Sequence, residues 1–233
     1  MKKKEKASSR RKKEKSPIVT HTKAELERAA KKRISVISKE FAMGFEFIQH
    51  YPRSVTFFGS TRTQQSSPHY KKAQHLAHSL SMQGYTIVTG GGPGIMQAAN
   101  YGALAAGGAS IGLNIQLPGG QVANPYVTNS IEFYYFFSRK VVLAFSAEAY
   151  IYFPGGFGTL DEFFEIVTLV QTRKIPKVPI ILVGSDYWKP LDKFIHQHLL
   201  KKHKAISKGD VALYKIIDDE KEIIKIVKKA PQR

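Results

Sequence analysis

The stretch Ala149-Tyr-Ile-Tyr-Phe-Pro-Gly-Gly-Phe-Gly-Thr-Leu-Asp-Glu162 leaves the chain few folds to choose from. Tyr150 to Phe153 is an aromatic and β-branched run ending at Pro154, which has no N–H to give to a sheet ladder, so a buried strand stops there. Gly155, Gly156 and Gly158 permit torsions and close approaches that other residues do not. Thr159 or a neighbour is placed to cap a helix running through Leu160, Phe163, Phe164, Val167 and Val170. A strand, a glycine turn and a helix in that order aim free backbone N–H groups and the positive end of a helix dipole outward, which makes a pocket for a phosphate ester. The loop lacks the Gly-Lys-Ser/Thr ending of a triphosphate loop and the full Gly-x-Gly-x-x-Gly spacing of a dinucleotide fold. A monophosphate suits it better.

The rest of the chain alternates in the same way. Lys23 to His50 carries Leu26, Ala30, Ile34, Ile37, Phe41, Phe45 and Ile48 at spacings of three and four, an amphipathic helix expected to pack on the globule. Strands are expected at Ser54–Phe58, Tyr85–Val88, Ala109–Leu113, Ile131–Phe136, Pro179–Val183 and Tyr214–Ile217. Helices are expected at Pro68–Gln83, ended by Gly84, from about Gln97, from about Phe137, at Tyr187–His203 and at Asp218–Lys229. Such alternation implies an α/β fold, Rossmann-like, with a mostly parallel sheet, helices on both faces and ligand loops at the carboxyl ends of the strands. Thr89-Gly-Gly-Gly-Pro-Gly-Ile-Met96 is a second glycine loop opening a second helix, and Asn114 to Thr128 is a long loop placed to cover a site.

Charge is distributed unevenly. The net +18 resolves into +10 over residues 1–40, −1 over residues 41–50, +1 over residues 51–170 and +8 over residues 171–233, so the segment carrying the motifs is nearly neutral and a polyanion is not what its site is built to hold. The organisation expected is a disordered basic arm at 1–22, the amphipathic helix at 23–50 and a nucleotide-binding catalytic domain at 51–233. Nonspecific, salt-sensitive contact with nucleic acid is expected from the arm. The absence of cysteine excludes disulfide and thiolate chemistry. No run approaches the roughly 20 apolar residues needed to span a bilayer, so no membrane contact is expected and a cytoplasmic location is the default.

Gly90-Gly-Gly-Pro-Gly-Ile-Met96, together with Pro154-Gly-Gly-Phe-Gly-Thr-Leu-Asp-Glu162 preceded by Ser138-Arg-Lys140, resembles the LOG ("Lonely guy") family of cytokinin riboside 5′-monophosphate phosphoribohydrolases, often mislabelled as lysine decarboxylases. The likeness extends over roughly residues 50–205, and the Pro-Gly-Gly-x-Gly-Thr-x-x-Glu pattern is its specific part. The resemblance implies a Rossmann-like homodimer that cleaves the N-glycosidic bond of adenosine or N6-modified adenosine 5′-monophosphate, without cofactor, to free base and ribose 5-phosphate. It places the functional Arg on Arg139, the functional Glu on Glu162 and the phosphate loop on Gly155, Gly156, Gly158 and Thr159.

Chemistry supports those roles independently. Glycosidic cleavage passes through an oxocarbenium-like state, which a carboxylate can stabilise or feed with activated water. Glu162 is read as lying in the first helical turn, its side chain leaning toward the loop, while the planar fork of Arg139 suits either phosphate or carboxylate. Each also has an ordinary reading, as a dipole complement and as a structural cation; Asp161 is left as the dipole complement. Weaker nucleotide contacts are assigned to Ser60, Gly90, Gly91, Gly92, Gly94, Met96 and Asn114, with Arg62 beside them, and Phe133 to Phe137 is either core or a stacking face for adenine. No metal site is expected, since His196 and His198 point to different helix faces. No lysine stands out as a pyridoxal phosphate Schiff base. The alternative function is a nucleotide-fold carrier without turnover, holding a phosphorylated ligand such as molybdenum cofactor in the same pocket.

Overall fold

The computed structural model describes residues 22–117 and 123–231. The basic arm therefore lies outside the described residues apart from Thr22, as does the tip of the Asn114–Thr128 loop. The chain divides into two units at Val36 and Ile37, inside the first helix, α1 (Lys23–Gln49). In the first unit, Thr22 and Glu25 form a reciprocal cap: the Glu25 N–H donates to Thr22 Oγ1 (3.3 Å) and the Thr22 N–H to Glu25 Oε2 (2.8 Å).

The second unit is built on a seven-stranded sheet, all of its pairings parallel, in the order β4-β3-β2-β1-β5-β6-β7. The strands are β1 (Ser54–Phe58), β2 (Thr86–Thr89), β3 (Ser110–Ile115), β4 (Asn129–Phe133), β5 (Ala149–Tyr152), β6 (Ile180–Leu182) and β7 (Lys215–Ile216). Every residue of β1, β3 and β5 is buried, because helices cover both faces. Side chains alternate between two cores. Phe58, Tyr150 and Tyr152 join Val142 of α4 (Phe136–Ala144), Phe163 of α5 (Phe157–Gln171) and Trp188 of α6 (Ser185–Phe194). Val55, Phe57, Ile151 and Phe153 join Leu76 of α2 (Pro68–Ser81), Ile95 of α3 (Ile95–Ala105) and Ile223 of α7 (Glu220–Val227).

The order sets the site. Successive crossovers run outward from β1 toward β4, then the chain returns to place β5 on the other side of β1, in register Val55↔Ala149 through Phe58↔Tyr152. Loops leaving β1 and β5 diverge, and a crevice opens at their carboxyl ends.

Most expected boundaries shift by one or two residues, and two of the shifts have a long-range cause. The strand expected at Ile131–Phe136 is Asn129–Phe133, because Glu40 of α1 takes the Tyr134 and Tyr135 N–H groups and α4 begins at Phe136. The helix expected at Tyr187–His203 starts earlier, at Ser185, where the Asp218 carboxylate accepts from the N–H of Gly184 (2.7 Å) and Ser185 (3.2 Å), and it loosens into a π-helical segment at Ile195–Lys202. A distant residue supplies each start.

Helices α2 and α3 touch at backbone distance: a Cβ on Gly102 would lie 2.1 Å from the Gln74 carbonyl oxygen. Gly102→Ala should therefore destabilise the fold by about 1–3 kcal/mol, since backbone must move. Urea unfolding followed by circular dichroism should show a lower midpoint with an unchanged slope.

Candidate active site

Loops after β1, β2 and β5 and the first turns of α4 and α5 line one cleft of about 820 Å³. The loops are tied by backbone. The Ser60 N–H donates to the Pro154 carbonyl (3.0 Å), and the Ser60 carbonyl accepts from the Ile95 N–H (3.1 Å), so one residue joins the β5 loop to the start of α3. Gly94 makes this possible: its φ is +69°, and a Cβ there would sit 2.2 Å from Ser60 O.

The glycine turn after β5 differs from expectation in its cap. Gly156 is the N-cap and makes no side-chain hydrogen bond, while Thr159 lies inside the helix with its Oγ1 2.1 Å from where a Gly155 Cβ would be. The first bond of the ladder runs from Leu160 N–H to Gly156 O (3.1 Å), leaving the N–H groups of Phe157, Gly158 and Thr159 outside it. Gly156 and Gly158 face open space. The Tyr187 hydroxyl donates to Gly155 O (2.6 Å) and steadies the turn. Phe157, 94% exposed, stands at the cleft with nothing covering its ring.

Because α5 begins at Phe157, Glu162 lies in its second turn rather than its first. It is 7% exposed, and burial pushes its carboxyl up to about 7, with Glu165 and Asp161 adding to the shift and Arg139 and Lys140 opposing it. Arg139, on α4, is half-buried and lines the same cleft. Burial lowers its pKa and the charge of Glu162 raises it, yet no ion pair joins the two among the described residues, and the buried Arg139 Nε has no hydrogen-bond partner. An unsatisfied guanidinium beside free helix amides is arranged for an anion. Lys140 pins α4 to α5, its ammonium 2.8 Å from Asp161 and 3.2 Å from Glu165. Asp161 is thus half of an ion pair between helices, more than a dipole complement.

Of the weaker candidates, Ser60, Gly90 and Met96 reach the cleft, as does Arg62. Gly91, Gly92, Gly94 and Asn114 stand behind it. Gly91 has φ +71°, and the space its Cβ would occupy holds Asn114 Oδ1 at 1.7 Å. Within Phe133 to Phe137, Phe133 is core and Phe136 lines the cleft. A buried amide network escaped the sequence reading. Thr89 Oγ1 accepts from Gly91 N–H (2.9 Å) and donates to Asn100 Oδ1 (2.6 Å), and Asn124 Nδ2 donates to Gly92 O (3.0 Å) and Asn100 Oδ1 (2.9 Å). It holds the second glycine loop against Arg139, whose Nη2 is 3.3 Å from where a Gly90 Cβ would stand. Among the described residues, no group of three His, Cys, Asp or Glu is placed to hold a metal ion, and no helix is long and apolar enough to cross a membrane.

The fold and cleft define an α/β protein with a cleft, lined by glycine loops and a helix start, at its topological switch point. Residues 96–227 match the family model described as "Possible lysine decarboxylase", and the chain belongs to that family, the LOG family. It is similar to the cytokinin riboside 5′-monophosphate phosphoribohydrolase of Rhodococcoides fascians, 27% identical over 149 residues, covering 62% of this chain and 74% of the relative. It is also similar to the pyrimidine/purine nucleotide 5′-monophosphate nucleosidase of Escherichia coli K12, 28% identical over 197 residues, which are 77% of this chain and 41% of the relative. The molybdenum cofactor carrier protein of Chlamydomonas reinhardtii shares the fold, with a TM-score of 0.56 at 23% identity over 76% of this chain and 96% of that one.

Lys140, which lines the cleft, is committed to ion pairs with Asp161 and Glu165. A Schiff-base lysine needs a depressed pKa. Although burial pulls the Lys140 pKa down, Asp161 and Glu165 hold it above its ordinary value.

The raised pKa of Glu162 also has a consequence for stability. The folded chain holds the Glu162 proton more tightly than an unfolded chain, where the carboxyl titrates near 4.5, so its contribution is intact below about 4.5 and lost as pH rises through about 7. Glu162→Gln should therefore raise the melting temperature at pH 8 and leave it nearly unchanged at pH 4.5. Thermal melts of both proteins across this range should show the two curves diverging upward through pH 7.

Proposed function

We propose that the cleft hydrolyses the N-glycosidic bond of a purine nucleoside 5′-monophosphate, adenosine or an N6-modified adenosine, releasing the base and ribose 5-phosphate. The observation that carries this reading is the buried carboxylate of Glu162 beside the unsatisfied Arg139, directly behind the free N–H groups of Phe157, Gly158 and Thr159. The relatives' names support the reaction class.

The 5′-phosphate sits on the start of α5 with Arg139 beside it, and its binding energy positions C1′ against Glu162. As the bond from C1′ to the base nitrogen breaks, positive charge grows on the ribose, and a carboxylate in a water-poor site stabilises it. Water adds to C1′, its proton passing to Glu162, and the departing base nitrogen takes up a proton. With a pKa of about 7, Glu162 accepts that proton and returns it readily at neutral pH. Ser60 and Met96 line the same cleft as Phe136, which offers a ring for base stacking.

Incubation with AMP and with N6-isopentenyl-AMP, followed by chromatography, should yield free base and ribose 5-phosphate. For the free enzyme kcat/KM should rise with pH to a plateau above about 7. Glu162→Ala should lower kcat by a factor of about 10²–10⁴ while nucleotide still binds. Nucleotide bound tightly by the parent protein with no base released from any monophosphate would contradict hydrolysis and favour a carrier.

A further inference from the structure

Helix α1 lies before the motifs of the site, yet its second half carries a built contact to the helix that holds Arg139. Glu40 is 6% exposed. Its Oε1 accepts from the Tyr134 N–H and, at 3.4 Å, from the Tyr135 N–H, while its buried Oε2 has no hydrogen-bond partner. Tyr135 is the N-cap of α4 and makes no side-chain cap of its own, so the cap is delivered from another helix. A carboxylate there meets the positive end of the α4 dipole.

One turn further along α1, Gly44 is buried against the same element. A Cβ on Gly44 would lie 2.5 Å from Val142 Cγ2 and 3.1 Å from Phe133 Cζ. Glycine is a poor former of helix interiors, and here it lets α1 approach β4 and α4 closely. Phe45 follows, edge-on to Phe145 at 5.7 Å. Glu40, Gly44 and Phe45 therefore meet α4 along its length: Glu40 at the N-cap, Gly44 at Val142 and Phe45 at Phe145.

Arg139 sits between these contacts, its Nε without a partner and its guanidinium beside Gly90. Within α4 the guanidinium lies over the Phe136 ring, 5.9 Å from its centroid, a contact that moves with α4 as a unit, so the placement of α4 decides how far the guanidinium reaches into the cleft. We infer that Glu40 is a positioning residue, which through the N-cap of α4 sets the register of Arg139 against the phosphate loop, with Gly44 fixing the approach of α1. This deepens the proposed reaction and rests on it for its kinetic consequence, though not for its structural one.

The variants Glu40→Gln, which keeps an acceptor oxygen and the side-chain shape, Glu40→Ala and Gly44→Val separate the possibilities. Two readouts are needed. In the full chain, reaction of Arg139 with phenylglyoxal, quantified by peptide mass spectrometry, reports the burial of the guanidinium whatever the site does. KM and kcat for AMP report its alignment. Glu40→Ala should speed labelling of Arg139 and of the Tyr134 and Tyr135 amides in hydrogen exchange, and raise KM about tenfold with a smaller change in kcat. Glu40→Gln should restore most of both, and Gly44→Val should resemble Glu40→Ala. Wild-type labelling of Arg139 in Glu40→Ala, or equal losses of function in Glu40→Gln and Glu40→Ala with Arg139 still protected, would overturn the assignment. If the parent protein releases no base, the reaction is wrong, and the labelling series alone decides for or against the positioning role.

Discussion

A carboxyl and a guanidinium share the cleft without forming an ion pair, and the structure around them is arranged to keep them so. Removing Glu162 from water favours its neutral form, and Arg139, though its charge opposes that shift, leaves the carboxyl titrating near 7. A direct pair would hold the carboxyl ionised and the guanidinium occupied. Lys140 takes up the two flanking acids instead, 2.8 Å from Asp161 and 3.2 Å from Glu165, and Glu40 closes the N-terminal end of α4. Lys140, Asp161, Glu165 and Glu40 are thus committed to holding α4 and α5, and Glu162 and Arg139 are left for a ligand.

The backbone serves the same end. The amides at the start of α5 lie outside its ladder, and Tyr187 and Ser60 hold the turn before them from either side. Behind Arg139, the side-chain amides of Asn100 and Asn124 find partners on the second glycine loop, on β3 and on each other. Polar groups buried this way rigidify only when all of them find partners. Rigidity at the wall matters because a bound phosphate contributes to catalysis only if C1′ is then held in place.

Much of this was legible from sequence because the signals are local. Strand β1 at Ser54–Phe58 matches its expected bounds, and Gly84, with φ +81°, ends α2 as a glycine past a helix should. The alternation of strands and helices implies the parallel sheet, and the resemblance to the LOG family points to Arg139 and Glu162, which line one cleft. What stayed hidden is long-range. Asp218 starts α6 across 33 and 34 residues of chain, and Glu40 ends β4 across 94, which no window of sequence records. Asn100 and Asn124 read as ordinary helix and loop residues until their amides are seen to meet at 2.9 Å. Asn114 showed the converse: its place at a strand end suggested a ligand contact, but its side chain is folded against Gly91.

In the proposed function an anion sits on the start of α5, between its free amides and Arg139, with the sugar turned toward Glu162. A crystal structure of the full chain with ribose 5-phosphate tests it most directly. The phosphate oxygens should lie about 2.7–3.2 Å from the N–H groups of Gly158 and Thr159 and from the Arg139 guanidinium, with C1′ facing the Glu162 carboxyl. A phosphate seated instead on residues 64–67, between β1 and α2, or a sugar turned away from Glu162, would contradict this placement.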